Sequence, residues 1–465
     1  MPEHLSAPAW ARELERRAEG PLFTAGRHGD EADYEGALRV YTASLPGRPD
    51  AVLRAASAAD VSLAVTTAAA AGIPLSVRGG GHSGAGLSVA SGGLMLDMGG
   101  LRGVRVEPAA RAGGQTFAVA QPGATWGEYD RATQEHGLAS TGGVVSSTGV
   151  AGLTLGGGIG ALRGLYGLAV DNLVAADVVL ADGSRVRADA EREPELYWAL
   201  RGGGGNFGVV TGFHYAVHPV SGMTTGFLGW PLPSAPGLAA VFRKMAASGE
   251  LPDRSVAEFI FTHAPTGEPT VLVTPRVIDG PGEDPLIPAL RALAPAEDSV
   301  TARSYVEGQR FMDPLVGWGA RHHWGTTTLR GLPEEVVAVL MEFTARAPSP
   351  RNGITVEHLH GAVSRRPAEE TAVGFRHAPF NVLIEATWDA PGEDGANQAW
   401  VRELLAVLRP FGAGGAYANY LPRDATADEL RAAYGEAGFA RLRRAKAAYD
   451  PANVFRVNQN IPPGA

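Results

Sequence analysis

Twelve histidines, eleven tyrosines and no cysteine set the range of side-chain chemistry open to this 465-residue chain. Without cysteine there are no disulfides, thiolate nucleophiles, iron–sulfur clusters or Cys-ligated zinc. His82 follows three glycines in the run Arg78-Gly79-Gly80-Gly81-His82-Ser83, where an imidazole stands at the end of a bare backbone stretch. His358 and His360 are two apart on a strand spanning 354–360 and share a face with Val356, so either could serve as a base or a substrate ligand. This His-x-His pair has no third ligand at a recognisable spacing, and no metal site is expected. Tyr420 ends Tyr417-Ala418-Asn419-Tyr420; a free phenol titrates near 10, so a phenolate base there would need a cation or a ligand beside it. His322 and His323 read as exposed imidazoles on an edge strand, and Asn381 and Glu385 as the solvated face of a strand over 380–387.

The elements that must hold these groups divide by composition. Of 62 glycines, 32 lie between Gly79 and Gly212, which concentrates bare backbone where a large ligand could lie against it. A strand at 49–54, a helix at 57–71 and a strand at 73–78 form a βαβ unit that delivers the His82 loop at a strand end. Strands near 93–98, 104–106 and 116–120 and a helix at 126–135 follow, then a hairpin turning at Asp182-Gly183, a helix at 193–200 and a strand at 209–218. After Pro219 glycine thins out. Alternating strands at 257–262, 270–277, 354–360 and 380–387 are interleaved with helices at 238–247, 285–293, 334–344 and 398–408. One helix over 427–448, capped by Thr426, precedes a short tail. The expected fold class is α+β with residues 1–219 as one domain (core about 45–219), 220–410 as a second, and 411–465 returning to the first.

The glycine strings discriminate among ligands. Gly203-Gly204-Gly205-Asn206-Phe207-Gly208 matches the G-x-G-x-x-G string of a dinucleotide fold, but a helix precedes it and a strand follows, the reverse of the required context. No Gly-Lys pair occurs, which excludes a P-loop, and Gly81-His82-Ser83-Gly84-Ala85 misses the last glycine of a hydrolase elbow. The ordered set Arg78–Ser83, Gly143–Leu153, Leu155–Gly160, Tyr166–Asn172, Trp198–Thr211, Tyr417–Tyr420, Tyr449–Pro451 and Phe455–Ile461 resembles the berberine-bridge-enzyme-like family of FAD-linked oxidases. That family has a two-subdomain FAD domain of the vanillyl-alcohol-oxidase, or PCMH, type. The likeness is close over about 40–220 and 411–465 and only in outline between them.

The resemblance implies FAD held covalently by His82. Because the position of the family's second, cysteinyl link is Val145 here, it implies a single bond. Cofactor contacts are expected from Arg78, Gly79, Gly80, Gly81, Ser83, Gly86, Gly143, Val144, Thr148, Gly149, Gly152, Gly156, Gly158, Gly160, Val210, Tyr417, Asn419, Asn458 and Asn460. Val150 falls at the family's oxygen gatekeeper and, with Leu153, is expected to admit O₂, favouring oxidase over dehydrogenase. Tyr420 is the first candidate for the base, ahead of His358 and His360. His-Leu-His-Gly at 358–361 departs from the family's Tyr-x-Gly-Gly. The implied reaction is hydride transfer from a small aromatic, phenolic or polyketide-type metabolite to FAD, with reoxidation by O₂ to H₂O₂. A carbohydrate or alcohol oxidase, or a flavin- or ligand-binding protein without catalysis, are the alternatives. The Ala/Arg/Gly-rich composition is similar to that of high-GC bacterial proteins. A net charge of −9 argues against nucleic acid as a partner. No apolar run reaches membrane-spanning length, and the charged N-terminal stretch lacks an apolar targeting core, so a cytoplasmic monomer or homodimer is expected.

Overall fold

In the computed structural model, residues 8–45, 47–108, 116–280, 282 and 284–464 are described; the first seven residues of the N-terminal stretch read above lie outside this set. The His82 loop leaves a small sheet ordered Leu22–Thr24, Ala51–Arg54, Leu94–Asp97, Leu75–Arg78, the last three parallel. Leu94–Asp97 inserts between the two strands of the βαβ unit, so both flank it. Helix Ala58–Ala71 crosses over this sheet. Its Ser57 side chain caps the Asp60 N–H, and Gly72 ends it at φ 64°. The buried Ala64, Val65 and Ala68 of this helix join Leu53, Leu75 and Leu96 in one apolar cluster.

A second, antiparallel sheet of five strands runs Val104–Glu107, Phe117–Ala120, Val209–Ala216, Leu173–Val179, Arg185–Asp189. Its last hairpin turns at Gly183 with φ 83°. Helix Pro194–Leu200 and strand Val209–Ala216 flank the Gly203–Gly208 loop, in the order that argues against a dinucleotide fold.

The remaining large sheet has nine antiparallel strands, with Ser255–His263, Gly353–His358, Phe380–Trp388 and Arg321–Leu329 adjacent in that order and the last at the edge. Gly222–Thr225, Leu228–Pro231 and Thr301–Ser304, which carry little sequence alternation, also join it. Helices Ala235–Ser248, Glu334–Ala345 and Asp394–Leu408 cover one face. Phe259, Val356, Val382 and Ile384 pack there against Phe242, Leu340 and Leu404, all nearly inaccessible to solvent. Each such side chain contributes roughly 1.5–3 kcal/mol by burial. This apolar layer fixes strand phase, because slipping by one residue would turn the whole set outward.

The C-terminal segment returns to the first two sheets. Its helix, capped by Thr426 with Glu429, is not continuous: Gly435 at φ 69° breaks Ala427–Tyr449 into two pieces. The fully buried Lys446 then ties the tail down, donating to Asp450 at 2.7 Å, to the Asn206 carbonyl at 2.8 Å and to the Phe455 carbonyl at 2.9 Å. Among the described residues no helix is long and apolar enough to cross a membrane, and no cluster of three metal-ligating side chains occurs.

Candidate active site

Between the glycine-rich sheets and the open face of the nine-stranded sheet lies a cavity of about 1110 Å³. One wall is backbone. Gly79, Gly80 and Gly81 extend from the end of strand Leu75–Arg78, and Gly143, Thr148, Gly149, Gly152 and Gly156 face them with Gly204, Gly205, Val210 and Asn458. A Cβ on Gly80 would meet the backbone of Gly149 at 2.5–2.6 Å, so the two loops touch main chain to main chain. At Gly152 and Gly205, by contrast, a Cβ would meet nothing within 4 Å. Glycine there is not demanded by the protein's own packing, and it leaves backbone open to the cavity.

His82 stands in this wall, its ring stacked on Tyr41 with centroids 4.5 Å apart. Its Nε2 is buried and has no hydrogen-bond partner, and burial pushes the imidazole down to about 4. The ring is therefore neutral near pH 7 and carries a lone pair. Asn458 Oδ1, in the same wall, is likewise buried and unpartnered. Peptide N–H groups at a glycine loop, unpartnered buried acceptors and a long bare-backbone wall suit a ligand with an anionic waist and a hydrogen-bonding ring. FAD has these features, so the residues present fit it.

The opposite wall is the open face of the nine-stranded sheet, and strand phase decides who stands on it. Glu258, Ile260, Arg276, Thr355, Glu357, Leu383 and Glu385 point into the cavity. Glu357 and Glu258 are directly opposed across neighbouring strands, an arrangement of like charges that is unfavourable alone. Two buried arginines offset it: Arg163 donates to Glu258 at 2.7 Å, and Arg276 pairs with its other oxygen. Glu357 accepts from Asn381 Nδ2 at 2.6 Å and from the Tyr420 hydroxyl at 3.1 Å. Burial raises Glu357 above its ordinary range. Burial and then the adjacent Glu357 push the Tyr420 phenol well above 10. Nearby, the Tyr417 hydroxyl accepts from Gly158 N–H at 3.1 Å and from Asn419 at 3.0 Å, and burial pushes it up to about 12.

Several expected residues stand elsewhere. His358 shares the phase of Ile354 and Val356, so it points to the helix layer, against Phe242 and Phe380 and stacked on His360. His360 approaches the Pro252 carbonyl at 3.4 Å, and neither histidine lines the cavity. The residue between the apolar positions, Glu357, takes the place assigned to them. Asn381 and Glu385 are not a solvated face: the first is fully buried and the second lines the cavity. His322 is on the edge strand but buried, stacked on Tyr41 at 4.1 Å. Val150 lies in the apolar core rather than the cavity wall, whereas Leu153 and Val144 do line it. Arg78 is outside the wall, bound to Asp97 at 3.4 Å and the Arg39 carbonyl at 3.2 Å. Gly86, Gly158, Gly160 and Asn460 are also outside it. A Cβ on Gly160 would strike the Gly142 carbonyl at 1.7 Å, so that glycine serves packing. Glu258, Arg163, Arg276 and Tyr41 are the site residues that no sequence string marked.

Val145, the residue at the family's second-link position by resemblance, lines the cavity. Ser146 beside it donates from N–H and hydroxyl to Asp313 at 2.9 and 2.6 Å, and Gln309 donates to the Gly143 carbonyl at 3.0 Å. These ties bind the loop to the nine-stranded-sheet half of the molecule.

Comparison with known proteins gives the class. Residues 49–189 match the FAD binding domain model, and 416–462 match the model described as berberine and berberine like. The FAD-linked oxidoreductase YvdP of Bacillus subtilis is 30% identical over 368 residues, covering 75% of this chain and 78% of that protein. The (R)-6-hydroxynicotine oxidase of Paenarthrobacter nicotinovorans is 29% identical over 462 residues, covering 95% and 98%. The crystal structure of 6-hydroxy-D-nicotine oxidase from Arthrobacter nicotinovorans superposes with a TM-score of 0.83 at 28% identity, covering 96% of this chain and 98% of that one. The chain belongs to the berberine-bridge-like family of FAD-linked oxidoreductases.

Proposed function

We propose that the protein is an oxidase that removes hydride from a small aromatic substrate and passes the electrons to O₂, with FAD attached by one bond through His82. The observation that carries this reading is the cavity itself: a glycine-backbone wall with an unpartnered, neutral imidazole faces a wall bearing a hydrogen-bonded carboxylate and phenol. When bound, FAD supplies the hydride acceptor and the route by which electrons reach oxygen.

The chain's own residues supply positioning and proton transfer. A neutral imidazole has the lone pair that a covalent link requires, and the Tyr41 ring holds its plane. Glu357 is the proton acceptor. Tyr420 is a donor to it rather than a phenolate, because its neighbour is an anion and burial also favours the neutral phenol. Arg163, protonated and fully buried, lies close enough to favour Glu357 in its charged form. As the substrate's O–H or N–H proton departs to Glu357, the adjacent C–H bond becomes a better hydride donor. Leu153 and Val144 border the cavity where O₂ would approach.

The test is direct. Purified protein should be yellow, and acid precipitation should leave flavin in the pellet. In His82→Ala the flavin should move to the supernatant. Anaerobic bleaching by a substrate, then recovery in air with H₂O₂ formed, establishes the oxidase. Recovery only with an artificial acceptor would replace oxidase with dehydrogenase, and complete release of wild-type flavin by acid would remove the covalent link.

A further inference from the structure

Three carboxylates on three adjacent strands look into the cavity, and two are satisfied within the chain. Glu258 is paired with two arginines, and Glu357 shares its oxygens between Tyr420 and Asn381. Glu385 is different. Its Oε1 accepts from the Tyr41 hydroxyl at 2.7 Å and the Trp324 indole at 3.1 Å, while Oε2 has no hydrogen-bond partner among the described residues. Its side chain keeps 29% of its surface open, and it lines the cavity.

The groups around it do not supply the missing charge. His322 Nδ1 stands 3.6 Å from Oε1, but that ring is bonded to the Thr387 hydroxyl and the Gly317 carbonyl, and burial pushes it down to about 4. His82 is neutral for the same reason. Arg351, at the cavity wall, is the cation whose field reaches Glu385, but it is hydrogen-bonded to Asp389 at 2.6 Å and burial outweighs it, holding the carboxyl above its ordinary range for want of a closer cation. The remaining neighbours are aromatic. Tyr41 and Trp324 lie at 5.5 Å between centroids, and Trp324 meets Tyr420 edge-on at 5.8 Å. Trp324 thus links the open carboxylate to the Glu357–Tyr420 pair.

A half-satisfied carboxylate among π-rich rings is a site for an organic ammonium ion, which gains a charge-assisted hydrogen bond and cation–π contact together. Neutral polyols need no buried charge, and an anion would be repelled. We propose that Glu385 anchors a protonated amine of the substrate, so that the enzyme acts on aromatic substrates bearing an ammonium group that stays protonated, while a separate carbinol C–H is oxidised with its O–H proton passing to Glu357. This rests on the oxidoreductase reading of the same cavity.

Calorimetric titration of the purified holoenzyme near neutral pH with benzylammonium, benzyl alcohol and benzoate tests it, because the ring is constant while the charge and the N–H donors of the head group change. The cation should bind at least about tenfold more tightly than the neutral alcohol, with benzoate weakest. Glu385→Gln should remove the cation's advantage, and Glu385→Asp should retain part of it. Equal binding of cation and alcohol by the wild type, or a preference that survives Glu385→Gln, overturns the proposal. If Glu385→Gln does not fold, the wild-type series and Glu385→Asp still decide. Calorimetry reads the ligand and absorbance reads the flavin, so this inference and the flavin reading fail separately.

Discussion

A buried carboxylate that accepts hydrogen bonds from a phenol and an amide can take a proton only while it is ionised, and this fixes how Glu357 responds to pH. Burial raises its pKa, so kcat/KM should fall as pH drops through a value above the ordinary carboxylate range near 4.3. The Tyr420 hydrogen bond favours the charged form. Tyr420→Phe should therefore move that acid limb to higher pH, which a merely structural tyrosine would not do. Glu357→Gln should lower kcat by about 100-fold or more and abolish the limb. A pH profile of each variant under steady-state conditions checks all three. At this scale the sequence was only partly legible. The His82 loop and Tyr420 stand in local strings, and both line the cavity. Glu357 was passed over for His358, although Ile354 and Val356 already marked which face is apolar and so put Thr355 and Glu357 on the other. Arg163, Arg276 and Glu258 meet only through tertiary folding, at sequence separations of 18 to 95 residues. No spacing rule reaches that far.

Among the elements, the glycine loops divide into those that protein backbone requires and those that it does not. Gly80→Ala would force the Gly149 backbone away and should lower both stability and flavin content. Gly152→Ala and Gly205→Ala meet nothing within 4 Å, so thermal midpoints should hold in protein produced without flavin, while flavin content falls in protein produced with it. Gly237, exposed in helix Ala235–Ser248 and far from any contact, is the control: Gly237→Ala should add about 0.5–1 kcal/mol in urea unfolding with flavin unchanged. Composition showed where glycine is concentrated but could not sort these cases. A loop glycine at a cavity and one wedged against a carbonyl, as at Gly160, look alike in a string. The strands of the large sheet were legible where alternation is strong, as in Ser255–His263 and Phe380–Trp388. They were not legible at Gly222–Thr225 or Thr301–Ser304, where pairing partners rather than side chains define them.

The molecule as a whole is closed by a buried charge. Lys446 and Asp450 are both inaccessible, and between them they bond the Asn206 and Phe455 carbonyls and the Val454 and Phe455 N–H groups. Removing the ammonium leaves an uncompensated buried carboxylate, so Lys446→Met should cost about 3 kcal/mol or more. Urea unfolding of holo protein would read this loss, and the fraction of chains loaded with flavin should fall with it, because Asn206 belongs to the cavity wall.

That clamp has a consequence for the order in which the enzyme is made. His82 leaves the ribosome early, yet the wall built from Tyr417, Asn419 and Asn458 is synthesised more than 330 residues later. A nascent chain therefore carries the His82 loop through most of translation with one side of the chamber missing. Under the His82-linked reading, the cofactor's chamber is complete only once the tail is seated by Lys446, so bond formation at His82 should follow folding of the C-terminal segment rather than precede it.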